Sequence, residues 1–357
     1  MTYRVIQWGT GSVGRQALRE VLKNPECQLA GVKVYGDAKV GKDAGELAGM
    51  PATGVIASKD PAVAKGDTVL YCPIVADYDE IARLLRAGAN VVTTASNVYP
   101  QFYGPGVYNK INDAALEGGA TFHGSGINPA FMSEVLPLTL SGLVHRARKI
   151  RVQEVSDVNH YASTAPEIML DHVGFGKSPE EALNADAFLK GMTAYFSESI
   201  HMIVDHLGVT LDRIEERHEV ATSKVRVVLD NGRAIEPGTV GCRLFRWIAI
   251  VGGQPRIELS TFWKVTAELE PQWNVSTSKL VEWTISIEGT PSVRCTVATC
   301  ASFDPDSPDY LKGAEEAAVV GTATHAVNAI PYVHAAPPGV KTFLDLPIIA
   351  SRGALRD

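Results

Sequence analysis

The chain has 357 residues, 45% hydrophobic and 20% charged, with a net charge of −7. That length exceeds one ordinary core and predicts two domains, and the composition is that of a soluble globular protein. The acidic balance argues against a nucleic-acid binder, and no apolar run reaches the length of a membrane span. The first residues already read as a strand, so no signal peptide is expected and a cytoplasmic location follows by default.

In chain order, Tyr3–Trp8 is apolar enough for a central strand. Gly9-Thr10-Gly11-Ser12-Val13-Gly14 then fits G-x-G-x-x-G, and Ser12–Leu22 carries Val13, Ala17, Val21 and Leu22 on one helical side. A second apolar strand, 28–35, follows at βαβ spacing. In that context Gly9 makes a tight turn, Gly11 admits a pyrophosphate and Gly14 lets the helix pack on the strand. Strands at 68–72, 90–94 and 121–123 alternate with helices at 78–87, 107–117 and 129–143. This alternation predicts a doubly wound parallel sheet, a Rossmann domain over 1–147.

The pattern then changes. Lys149–Asp157 alternates like a strand, 165–172 and a broken 179–207 read as helices, and 213–303 is strand-like throughout. Its strands are expected at 225–229, 243–251, 256–265, 280–287 and 294–301, with Asp230-Asn231-Gly232 and Gly252-Gly253 as hairpin turns. An open antiparallel sheet with helices, an α+β domain, is expected over 148–304. A helix at 309–329 returns to the first domain, which 305–357 completes.

Ligands bind beyond the carboxyl ends of parallel strands. After the glycine turn, the adenine ribose is expected near Tyr35, Asp37 and Lys39. An acid there suits the free 2′-hydroxyl of NAD and a base the 2′-phosphate of NADP; both charges are present, so both cofactors stay open. Cys72 and Pro73 end the next strand, and Cys72 reads as a buried thiol or a nucleophile. Thr94, Ala95 and Ser96 offer a small polar strand end for the nicotinamide half. Asn97 either touches substrate or forms a turn before Tyr99-Pro100. Asn128, in the turn Gly124-Ser125-Gly126-Ile127-Asn128-Pro129, is a further cofactor candidate. His160 and Tyr161 are candidate proton sources, or surface and core residues. Trp247, Trp263, Trp273 and Trp283 read as sheet core or interface. Five cysteines without C-x-x-C and nine histidines without H-x-x-x-H predict no disulfide framework and no metal.

Gly41-Lys42-Asp43-Ala44-Gly45-Glu46-Leu47 resembles a segment of dihydrodipicolinate reductases. Gly126-Ile127-Asn128-Pro129-Ala130-Phe131 and Thr322-Ala323-Thr324-His325-Ala326-Val327-Asn328-Ala329-Ile330-Pro331 resemble the longer 2,4-diaminopentanoate dehydrogenases and native amine dehydrogenases. The resemblance spans essentially the whole chain and adds Asn328 to the cofactor candidates. It implies a homodimeric NAD(P)H enzyme, paired through its antiparallel sheets, that interconverts an amine with a ketone or aldehyde and ammonia. It also implies a catalytic glutamate just after the fourth strand, where this chain has Asn97 or Ser96. An amide cannot exchange a proton as a carboxylate does, but it can hydrogen-bond an imine, a carbonyl or ammonia. The alternatives are a keto or imine reductase without free ammonia, and a non-catalytic dinucleotide-binding protein.

Overall fold

The computed structural model describes residues 2–184, 186–314, 316–352 and 355. The chain runs β1 (Tyr3–Trp8), α1 (Ser12–Lys23), β2 (Cys27–Lys33), α2 (Ala44–Ala48), β3 (Ala57–Ser58), β4 (Thr68–Tyr71), α3 (Tyr78–Arg86), β5 (Asn90–Thr93), α4 (Pro105–Gly118) and β6 (Thr121–Gly124). It continues with α5 (Leu136–Ser141), β7 (Lys149–Asp157), α6 (Asn159–Thr164), α7 (Pro179–Leu183), α8 (Asp186–His206), β8 (Arg213–Ser223), β9 (Val227–Val228) and β10 (Ala234–Ile235). Next come β11 (Val240–Val251), β12 (Gln254–Lys264), β13 (Leu269–Glu270), β14 (Val281–Glu288), β15 (Val293–Thr299), α9 (Ala317–Ala335) and β16 (Gly339–Val340). None of the described helices is long and apolar enough to cross a membrane.

The first unit comprises Met1–Phe131 and Val319–Asp357, the second Met132–Ala318. The first holds a parallel sheet in the order β16-β6-β5-β4-β1-β2-β3. Alternate residues of each strand point to opposite faces. Tyr3, Val5, Leu70 and Val92 meet Ala17 and Val21 of α1 and Ala323, Ala326, Val327, Ile330 and Val333 of α9. Ile6, Trp8, Val69, Tyr71, Val91 and Phe122 meet Ile81, Leu84 and Leu85 of α3 and Ile111, Ala114 and Ala115 of α4. Both faces are covered, so the sheet is doubly wound. Asp43 explains the glycine-rich segment before α2. Its carboxylate accepts from the N–H groups of Gly45 (2.7 Å), Thr53 (2.9 Å) and Gly54 (2.7 Å), closing a loop.

The second unit holds a seven-stranded sheet in the order β13-β8-β11-β12-β7-β14-β15. It is mixed rather than purely antiparallel: β12 and β7 run parallel, from Ile257 opposite Ile150 to Lys264 opposite Asp157. One face carries Arg243, Phe245 and Trp247. There Phe196 of α8 stacks on Trp247, and the Arg243 guanidinium donates to Ala182 O of α7. Trp247 and Trp283 are fully buried, and Trp263 and Trp283 donate their indole N–H groups to Glu154 at 2.9 and 3.0 Å. The opposite face is polar and open, a hollow of about 410 Å³ lined by Arg151, Gln153, Glu258, Ser260, Thr284, Ser286 and Arg294.

Several elements differ from their sequence pattern. The expected strand 225–229 shrinks to β9, which pairs with β10 around Asp230-Asn231-Gly232, while the long β8 sits beside β11. The expected helix 129–143 starts only after a cis Asn128–Pro129 bond, as a wide π turn over Phe131–Val135 leading into α5. Because α5 packs on β14, the division falls at 131/132, before the expected 147/148. The returning helix starts at Ala317, not at Asp309. Residues ahead of it fold back on the segment that follows β15, with Ala301 N donating to Lys312 O (2.7 Å) and Leu311 N to Ser302 O (2.8 Å).

Candidate active site

The site is built at the carboxyl ends of the parallel strands. Gly9 has φ +90°, a conformation that favours glycine, and its N–H donates to Lys33 O at 3.0 Å. Its own carbonyl accepts from Gln7 Nε2 at 2.9 Å. A side chain at Gly14 would come within 2.3 Å of Gly9 O, so only glycine lets α1 close onto β1 here. A side chain at Gly11 would meet nothing within 4 Å. Gly11 and Ser12 are exposed, Val13 half-buried. The N-terminus of α1 has no side-chain cap and no acid in its first turn. Outward N–H groups beneath open space fit a pyrophosphate. Lys39 adds a cation, its Nζ donating to Thr10 O (2.8 Å) and Oγ1 (3.2 Å).

Beyond β2, Tyr35 is 53% exposed, and its hydroxyl donates to Glu80 at 3.1 Å. Partial burial and the Glu80 charge push its phenol up to about 12. Asp37 forms an ion pair with Lys59. Beyond β4, the Cys72 carbonyl and Pro73 N lie 3.4 Å from where a Gly9 side chain would stand. Burial pushes the Cys72 thiol up, which leaves it protonated and favours the buried-thiol reading.

Beyond β5, Ala95 N donates to Thr93 Oγ1 at 3.0 Å, and Ser96 and Asn97 adopt φ +59° and +65°. Asn97 is 2% exposed. Its Nδ2 donates to Ala95 O and its Oδ1 accepts from Tyr78 Oη, both at 2.9 Å. The left-handed backbone and inward amide of Asn97 fit a turn, with half-buried Thr94 and Ser96 beside it. A side chain at Gly124 would fall 2.1 Å from Asn97 O, so this turn sits directly against the end of β6.

Two site residues were not singled out from the sequence. Ser125 continues β6, its N–H donating to Thr93 O at 2.8 Å, and its Oγ lies 2.9 Å from His325 Nδ1 on α9. His325 belongs to a segment noted for resemblance and Ser125 to the turn 124–129, but nothing local says that residues 200 apart meet. Asn128 precedes the cis proline, and Asn328 lies one turn beyond His325, half-buried. His160 and Tyr161 belong to the second unit. His160 Nδ1 is 3.4 Å from Asp230 and its Nε2 3.9 Å from Glu316, while burial raises the Tyr161 phenol.

The family of the 2,4-diaminopentanoate dehydrogenase C-terminal domain matches residues 131–356. An amine dehydrogenase of Streptomyces virginiae is 32% identical, with 98% of each chain covered. A 2,4-diaminopentanoate dehydrogenase of Acetoanaerobium sticklandii is 26% identical over 99% of this chain and 96% of its own. The solved amine dehydrogenase of Mycobacterium smegmatis shares the fold, with a TM-score of 0.74 at 20% identity over 99% of this chain and 98% of that one. A glycine turn built for a dinucleotide and a match along nearly the full length lead to one conclusion: the chain belongs to the family of the 2,4-diaminopentanoate and amine dehydrogenases.

Proposed function

We propose that this protein is a nicotinamide-dependent oxidoreductase that interconverts a small amine with a ketone or aldehyde and ammonia. The observation that carries the reading is the open, uncapped glycine turn at Gly11 in a chain of this family. When bound, the dinucleotide supplies or accepts the hydride. Thr10, Gly11, Ser12 and Val13 hold its pyrophosphate through the backbone N–H groups that open α1, with Gly9 and Gly14 shaping the turn and Lys39 beside it. Tyr35, Asp37 and Lys39 receive the adenine ribose, and Cys72 and Pro73 wall the turn. Thr94, Ala95, Ser96, Asn128 and Asn328 serve the nicotinamide half.

Between the two cofactors, the charges favour NADP. Asp37 is already engaged by Lys59, Tyr35 replaces an acid at the strand tip, and Lys39 sits beside the turn. Asn97 is a positioning residue that fixes the loop under the reacting atoms. His160, held by Asp230 and Glu316, and Tyr161 are assigned no step. We assign the open polar face of the second sheet to pairing as a homodimer.

The test is oxidation of NADPH and NADH with a panel of short aliphatic ketones and aldehydes, with and without ammonium. Turnover that requires ammonium is expected. Turnover without it would favour the keto or imine reductase, and tight binding without any turnover a non-catalytic protein.

A further inference from the structure

We infer that His325, oriented by Ser125, is the hydrogen-bond acceptor for the reacting nitrogen; this rests on the amine reading above. The two residues stand where that nitrogen is expected. Ser125 follows the carboxyl end of β6 beside the Asn97 turn, and His325 reaches it from α9 with 2.9 Å between Oγ and Nδ1. Ser125 is 2% exposed and His325 half-buried, so the ring, not the hydroxyl, offers accessible surface. The ring lies between Phe131 (centroids 5.4 Å apart) and Phe343 (5.6 Å). These apolar neighbours strip it of water and bring its pKa down to about 4.

A neutral imidazole suits this task. An amine, an ammonium ion or an iminium presents N–H donors, and a charged histidine would repel the cationic forms. The role assigns His325 the tautomer in which Nδ1–H donates to Ser125 Oγ, so that the lone pair on Nε2 accepts from the substrate nitrogen. In the reductive direction the hydride adds to the iminium carbon and the C=N π pair becomes the nitrogen lone pair. The product is a neutral amine, so the step itself needs no proton. His325 accepts a hydrogen bond throughout and exchanges nothing. This supplies a nitrogen-side acceptor in a chain that has Ser96 and Asn97 just after β5.

The experiment compares wild type, His325→Phe, His325→Gln and Ser125→Ala in the ammonium-dependent reduction of the same ketone panel. NADPH affinity is measured separately by fluorescence. His325→Phe keeps an aromatic ring between Phe131 and Phe343 but removes the acceptor. It is expected to lower kcat/KM at least tenfold and to leave NADPH affinity within twofold. His325→Gln restores an acceptor oxygen and is expected to recover part of that loss; it also serves if the Phe variant fails to fold. Ser125→Ala releases the tautomer and is expected to cost several-fold. Folded His325→Phe and His325→Gln with wild-type kcat/KM would overturn the inference alone. Loss of NADPH affinity in step with activity would overturn it in favour of a cofactor or packing role. No ammonium-dependent turnover in wild type would overturn the amine reading and this inference together.

Discussion

Three glycines of one turn have three different jobs, and substitution separates them. Gly11 faces open space with ordinary backbone angles, so Gly11→Val should fold. Its branched side chain would stand where the pyrophosphate lies, a cost of at least about 3 kcal/mol in binding, or roughly a hundredfold. Gly14→Ala should instead destabilise the fold by about 1–3 kcal/mol, because its methyl would meet Gly9 O at 2.3 Å. NADPH fluorescence titration and denaturant melts distinguish the two losses; equal effects on both observables would reject these roles. Lys39→Ala should weaken NADPH about tenfold more than NADH, the scale of one charge-assisted contact. An unchanged ratio of the two dissociation constants would make Lys39 a prop for Thr10 only. Asn97→Gly keeps the positive φ but deletes the amide held by Tyr78 and Ala95. A fall in kcat at constant cofactor affinity is expected; unchanged kcat would show that the backbone turn alone suffices.

At the scale of elements, β6 carries a pH liability. His123 is fully buried, with Nδ1–H donating to Lys341 O at 2.8 Å and its ring against Phe343. Burial lowers its pKa to about 4, against 6.5 for the free side chain. Between those values the unfolded chain binds the extra proton, so stability is whole above pH 6.5 and falls as pH drops towards 4. The loss at its limit is about 3 kcal/mol for this residue. Urea melts from pH 7 to 4 should show that decline, flattened in His123→Gln; parallel slopes in both would refute it. Local pattern announced much of the rest. Trp8 through Gly14, the alternation up to Thr121, and the Gly252-Gly253 hairpin, where both glycines take positive φ, all depend on neighbours in sequence. What stayed hidden depends on distant partners. The parallel pairing of β12 with β7, the contraction of 225–229 to a two-residue strand and the Ser125–His325 contact are set by tertiary neighbours. Asn97 shows the same limit at one position: whether its amide turns inward is decided by Tyr78, 19 residues away.

Of the two units of the molecule, the doubly wound first carries the cofactor edge, and the second is built on a mixed sheet. Alternation of strands and helices made the first legible. The second was less so, because a strand-rich sequence does not state its pairing order. The central claim is that the glycine-turn edge presents a nicotinamide dinucleotide to a carbon bonded to nitrogen. The measurement supplies NADPH carrying deuterium at both C4 positions, a ketone the enzyme accepts and ammonium, with the product analysed by mass spectrometry. The expected product is a primary amine carrying one deuterium on the carbon that bears nitrogen, formed by wild type and lost in Gly11→Val. A deuterated alcohol in place of the amine, or an amine without deuterium, would contradict it.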